Sequence, residues 1–175
     1  MKKLSKFEYI LYSAIIAVGI LLDQVTKLIA VERLKPVGTV PIIEDVFHFT
    51  FTTNDGMAFG MLDNQRWIFL TISTVTIIIM GIILYTGRLS NKLYTVSVSM
   101  IVSGGIGNMI DRLTTGEVVD FLDFRLINFA IFNIADTIVC IGAGILILAL
   151  VLDIIKEYKA KNSEAETDGK QDGEA

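Results

Sequence analysis

Apolar residues along this chain gather in long runs, not in the short alternating stretches of soluble strands. The first begins at Phe7 and reaches the roughly twenty residues needed to cross ~30 Å of hydrocarbon. Three more follow, Trp67 to Tyr85, about Leu93 to Ile110 and about Ile131 to Leu152. The pattern predicts a membrane all-α bundle of four transmembrane helices, with residues 1–160 as a single domain and loops 31–65 and 114–126 on one side of it. In the longer loop Pro36, Gly38 and Pro41 are turn residues. Phe47, Phe49 and Phe51 then alternate with polar partners, a period of two that predicts a half-buried strand and a small β element lying on the membrane. The shorter loop sets Glu117, Asp120, Asp123 and Arg125 among Val118, Val119, Phe121, Leu122 and Phe124. It is amphipathic, and strand and short helix are not separable there.

Composition agrees with a lipid setting: 53% of residues are hydrophobic and the mean hydropathy is +0.61, outside ordinary globular usage. Charge then orients the bundle. Lys2, Lys3, Lys6, Arg88, Lys92, Lys156, Lys159 and Lys161 fall on one side, and Arg33, Lys35, Arg66, Arg112 and Arg125 on the other. The richer side, which holds both termini, is expected to be cytoplasmic. Tyr9, Tyr12, Tyr85, Tyr94 and Tyr158 fall at that same interface, where amphipathic rings settle, and the β element is therefore extracytoplasmic. The basic start resembles a signal peptide, but the run behind it has the length of a retained helix. Most of the net charge of −4 comes from residues 161–175, read as an acidic, disordered tail. No basic run with interleaved aromatics supports nucleic-acid binding. Cys140, the single cysteine, sits among Ile, Val and Ala and is read as a small buried hydrophobe.

The polar residues inside the spans carry the functional signal, because ionisable groups there are costly. At 1.5 Å per residue Asp23 lies roughly 24 Å above Phe7, Asn108 roughly 24 Å above Lys92, and Asp136 roughly 25 Å above Asp153. All three converge near the outer boundary, with Asn133, Asp111 and Arg112 at or just beyond that layer and Asn54 arriving from the long loop. Several have plain structural readings. Asp23 and Lys27, four apart, suffice as an ion pair that orients a helix. Asp111 and Arg112 read as interfacial charges, and Asn residues in spans often join helices. Asp136 is harder to explain this way, since its neighbours Ile134, Ala135, Ile138 and Val139 are apolar and no basic residue lies within a turn. Ser99, Ser103 and Gly107, spaced by four around Gly104 and Gly105, permit close helix approach.

The available chemistry is narrow. With His48 as the only histidine and Cys140 deeper in the bilayer, no zinc site is expected. His48 on the loop strand faces solvent or caps the sheet, which leaves a Ser-His-Asp triad unsupported, and Lys27 has no serine at its depth for a Ser-Lys pair. Two carboxylates remain. Sharing one proton, they can hydrolyse a peptide without a metal, one as base toward water and the other as acid toward the carbonyl oxygen. Asp136 supplies one, and Asp120 or its competitor Asp123 the other.

At this point the residues resemble the lipoprotein signal peptidases, the signal peptidase II family of bacterial membrane aspartyl proteases. The resemblance rests on Asp23-Gln24-Val25-Thr26-Lys27, then Asn54-Asp55-Gly56-Met57-Ala58-Phe59-Gly60, then Gly104-Gly105-Ile106-Gly107-Asn108-Met109-Ile110-Asp111-Arg112. Val118-Val119-Asp120-Phe121 and Phe132-Asn133-Ile134-Ala135-Asp136 complete it. It implies that Asp120 and Asp136 are the catalytic pair, selecting Asp120 over Asp123, and that Asn54, Asn108, Arg112 and Asn133 line and orient the site. Asp23, Lys27, Gly104 and Gly107 are carried over as structural support. The implied substrate is a prolipoprotein whose cysteine bears a diacylglyceryl group, cut before that cysteine, and the expected setting is a bacterial plasma membrane with the site near its outer face. Membrane lipid is the other implied partner, no cofactor is expected, and the bundle is taken as a monomer. Two rivals come from other classes. A proton-coupled carrier would use Asp136 and Asp23 as a relay, yet the inner halves of the spans are nearly free of ionisable residues. A non-catalytic scaffold built on the glycine-rich helix leaves Asp136 unexplained.

Overall fold

The computed structural model describes residues 4–55, 66–89 and 91–171. Among these residues four α-helices form, α1 Lys6–Ile29, α2 Arg66–Tyr85, α3 Lys92–Thr114 and α4 Ile134–Gln171, with three strands, β1 Thr39–Ile43, β2 Phe47–Asn54 and β3 Val118–Phe124. Among the described residues three stretches are long and apolar enough to cross a membrane, 6–34, 92–114 and 134–162, and Leu70–Tyr85 is a shorter apolar helix. Helix starts follow local chemistry. Ser5 and Glu8 close a capping box on α1, and Asn91 caps α3 by accepting from the Leu93 amide. Helix α1 ends in a π-helical turn, Ala30–Leu34, so the longer loop begins later than the hydropathy suggests.

Helix α3 is the hub, packed against α1, α2 and α4. Its small residues make this possible: Ser97, Ser99 and Ser103 are fully buried, and a Cβ on Gly104 would collide with the Ala135 carbonyl and Val139 of α4. The serine hydroxyls cost little in this setting because each donates to a carbonyl, Ser97 to Leu93, Ser99 to Thr95, and Ser103 across the interface to Ile16 of α1 at 3.1 Å. Large apolar side chains point outward along the helices, among them Phe7, Ile72 and Ile147, as lipid-facing surfaces require. At the end holding the chain start, Tyr9 stacks on Tyr85, and Tyr94 donates to Asp153 at 2.6 Å. Tyr12 departs from the interfacial reading by turning inward, packing in a core with Leu4, Leu84, Val98 and Val102.

The shorter loop resolves into strand β3. It pairs antiparallel with β2, which pairs with β1. Phe47, His48 and Phe49 oppose Phe124, Asp123 and Leu122, but beyond a bulge Thr52, Thr53 and Asn54 oppose Asp120, Val119 and Val118. One extra residue in β2 therefore puts Asn54 on the face of Asp120, a face that unbroken alternation from Phe49 would have denied it. His48 does not face solvent: it is 6% exposed, and neither ring nitrogen has a hydrogen-bond partner among the described residues. Helix α4 starts three residues later than its apolar run, because Phe132 forms a bridge with Leu122 at the edge of β3. At its other end α4 continues through Lys161 to Gln171, over much of the segment read as a disordered tail.

Candidate active site

The site is built where the start of α4 meets the sheet. Asn133 precedes α4 and its side-chain oxygen accepts from the Asp136 amide at 2.9 Å, while an Asp136 carboxylate oxygen accepts from the Asn133 amide at 3.3 Å. This reciprocal pair is a capping box whose acidic member is Asp136. Asp23 of α1 supplies a second cap from outside the helix, accepting from the Ala135 amide at 2.9 Å. The N–H groups that a helix start leaves unpaired are thus met by two residues that also build the site.

Asn133, fully buried, joins the two halves. Its Nδ2 donates to Asp120 Oδ1 at 2.6 Å and lies 3.0 Å from Asn108 Oδ1. Asn108 in turn donates to Asp136 Oδ1 at 2.7 Å, and Asn54 donates to Asp120 Oδ2 at 3.3 Å across the bulged register. Asp120 and Asp136 line one cavity of about 550 Å³ together with Asn54, Asn108 and Arg112. Burial, and after it the charge of Asp136, push the Asp120 carboxyl up to about 7, against the pull of the Asn133 and Asn54 hydrogen bonds and the Lys27 charge. Arg112 acts electrostatically on Asp136, Asp120 and Asp111. Ser73, Thr137, Cys140 and Ile141 extend the cavity below the carboxylates. Cys140 is therefore exposed to this space and is not the buried hydrophobe expected from its neighbours.

Asp123 does not line this cavity. Three residues from Asp120 along a strand, it points to the other face, where it accepts from Thr50 at 2.7 Å and Arg125 at 2.9 Å. Burial pushes its carboxyl up, but those hydrogen bonds and the Arg125 charge outweigh it and hold the group below its ordinary range.

Beneath the carboxylates lies a buried ionic layer. Lys27 contacts Asp23 at 2.9 Å and Asp111 at 2.8 Å, and donates to Asn108 Oδ1 at 2.8 Å. Asp111 is thus a buried partner and not an interfacial charge. Its second role is to accept from the Val119 amide at 3.2 Å, which ties α3 to the strand carrying Asp120. Gln24 bridges the Gly107 carbonyl and Asp111. A side chain on Gly107 would meet the Asp23 carboxylate, so glycine is needed for α1 and α3 to close around the layer. The bridging role of Gln24 and the burial of Asp111 escaped the sequence reading. The available signal was spacing, since Asn108 and Asp111 share a helix face, as do Asp23 and Lys27. Gly56 to Gly60 of the second motif lie outside the described residues. Among the described residues no group of three or more His, Cys, Asp or Glu side chains is disposed to hold a metal ion.

An α-helical membrane enzyme with a carboxylate-lined cleft at one end of the bundle is the class that this fold and site describe. Comparison narrows it. The family model for Signal peptidase (SPase) II matches residues 15–152, and the chain belongs to that family of aspartic endopeptidases. It is 46% identical over 144 residues to the lipoprotein signal peptidase of Brevibacillus brevis, covering 81% of this chain and 95% of that one. It is 39% identical over 153 residues to that of Bacillus subtilis, covering 85% and 98%. A solved structure of a bacterial membrane enzyme, determined by the in meso method at 2.3 Å resolution, superposes with a TM-score of 0.75 at 33% identity, covering 82% of this chain and 88% of that one.

Proposed function

We propose that Asp120 and Asp136 are the catalytic dyad of this lipoprotein signal peptidase. The observation that carries the reading is their shared cavity and shared partner, Asn133, which holds Asp120 with its side chain and Asp136 with its backbone. The pair holds one proton. The ionised carboxylate removes a proton from water as the water oxygen attacks the scissile carbonyl carbon, and the protonated partner donates to the carbonyl oxygen, giving a neutral gem-diol. The carboxyl that took the water proton then passes it to the amide nitrogen, and as the C–N bond breaks a gem-diol hydroxyl gives its proton to the other carboxylate, which forms the carboxylic acid product and returns the dyad to one shared proton. Asn54, Asn108 and Asn133 orient the carboxylates, and Arg112 supplies positive charge beside them. Asp23, Lys27, Gly104 and Gly107 hold the helices that carry them.

The proposed substrate is a prolipoprotein with a diacylglyceryl-modified cysteine, cut just before that residue. The apolar lower cavity, bounded by Ser73 of α2 and Cys140 and Ile141 of α4, suits a lipidated segment arriving laterally from the bilayer. The proposed setting is a bacterial plasma membrane, with four spans, both termini cytoplasmic, the dyad near the outer face and the protein monomeric. The test uses Asp120→Asn and Asp136→Asn, purified in detergent and assayed on a lipidated precursor peptide. Both are expected to fold and to lose cleavage. A folded variant that still cuts overturns the dyad.

A further inference from the structure

A second cavity of about 330 Å³ lies on the opposite side of β3 from the dyad. Neighbouring residues of one strand separate the two spaces, since Asp120 lines the catalytic cavity and Phe121 lines this one. One wall is a stripe of α1 and its π-helical turn, Thr26, Ile29, Ala30 and Arg33, spaced by three and four so that they share a face. The other wall is sheet, with Phe49 of β2 set between Val40 of β1 and Phe121 of β3.

The chemistry of the groove specifies its occupant. The Thr26 hydroxyl is satisfied within its own helix, donating back to the Leu22 and Asp23 carbonyls, so the lower part of the groove carries no unmet polar demand. Among the described residues Arg33 is the one ionic group on the lining, with Lys35 two residues on. The Arg33 contact with Glu32 is long, 3.6 Å, and both side chains are more than 70% exposed, so it neutralises little of the guanidinium. Ile29 is 54% exposed and Leu28 68%, which makes the groove continuous with the lipid-facing surface of α1. The stretch 6–34 is apolar enough to cross a bilayer, so its end at Arg33 falls at headgroup level.

We propose that this groove is a binding site for an anionic phospholipid of the adjacent leaflet, with part of one acyl chain between α1 and the sheet and the phosphate against Arg33. A hydrocarbon chain below an exposed guanidinium fits both halves of the lining, and the bound lipid bridges α1 to the strand that carries Asp120. The site is separate from the catalytic cavity and does not depend on the assignment of the dyad.

The experiment measures melting and native mass spectra of the full chain in detergent micelles, with added phosphatidylglycerol or phosphatidylcholine of identical acyl chains. Phosphatidylglycerol is expected to remain bound in the spectra and to raise the melting temperature by several degrees, with phosphatidylcholine doing less. Arg33→Gln should erase the difference between the two lipids, whereas Arg88→Gln, at the other end of the bundle, should keep it. Val40→Trp, which fills the groove from a partly exposed strand position, should lose retention of both lipids while its circular dichroism stays unchanged. Equal effects of the two lipids on the wild-type chain, or selectivity that survives Arg33→Gln, overturns the site. Loss of selectivity in Arg88→Gln as well shows charge attraction to the whole protein and overturns it equally.

Discussion

Replacing Asp120 by Asn should abolish cleavage and yet make the protein harder to unfold, increasingly so as pH rises. The carboxyl is held near 7 in the fold against an ordinary 3.8, so between those values the folded protein keeps a proton that the unfolded chain releases. Stability of the wild-type protein therefore falls as pH rises through that window and levels off above about 7. A displacement of roughly three pH units at 1.36 kcal/mol each amounts to about 4 kcal/mol at pH 8, and under ~2 kcal/mol at pH 5. These are ceilings, because water in the open cavity screens part of the charge. Asn avoids the penalty but turns an amide N–H toward Asn54, exchanging a 3.3 Å hydrogen bond for two facing donors at a cost of about 1 kcal/mol. The Asn133 bond survives, since the remaining carbonyl oxygen still accepts it. The expected outcome is an Asn variant about 3 kcal/mol more stable than wild type at pH 8, on the order of 5–10 °C in melting temperature, and nearly equal at pH 5. Melting followed by circular dichroism in detergent across that range measures it. A gap that does not change with pH, or a variant that melts lower at pH 8, would refute the reasoning. The same proton predicts that cleavage by the wild-type enzyme declines as pH rises through about 7, where the acid member of the dyad is lost.

Two further expectations concern the support beneath the site. Lys27→Met leaves the Asp23 and Asp111 carboxylates buried without their shared cation and should cost about 3–5 kcal/mol, while Lys27→Met combined with Asp111→Asn should cost less than the sum of the two changes. A double-mutant cycle by thermal melting checks this, and strict additivity would remove the ionic layer from the account. Gly104→Ala should destabilise by driving a methyl into the Ala135 carbonyl, whereas Gly144→Ala, with open space around it, should be neutral or stabilising by up to about 1 kcal/mol. Equal effects of the two on melting would mean that the approach of α3 to α4 is looser than described.

What the linear pattern could settle depends on the reach of the interaction involved. Runs of apolar residues long enough to cross a bilayer are local, and so are the Asn133-to-Asp136 spacing of a helix cap and the Asp23-to-Lys27 spacing of one helix turn, so these were legible along the chain. The choice between Asp120 and Asp123 was not legible from pattern alone. On a helix a separation of three puts two side chains on one face, on a strand it puts them on opposite faces, and only the pairing of β3 with β2 decided which rule applied. The bulge that aims Asn54 at Asp120, the burial of Asp111 against Lys27, and the opening of Cys140 onto the cavity all arise from contacts between elements far apart in the chain. Local pattern fixes the long apolar helices, but the identity of a short amphipathic segment, and the register and approach of neighbours, are set by how side chains fill a shared space, and that exists only once the elements have packed.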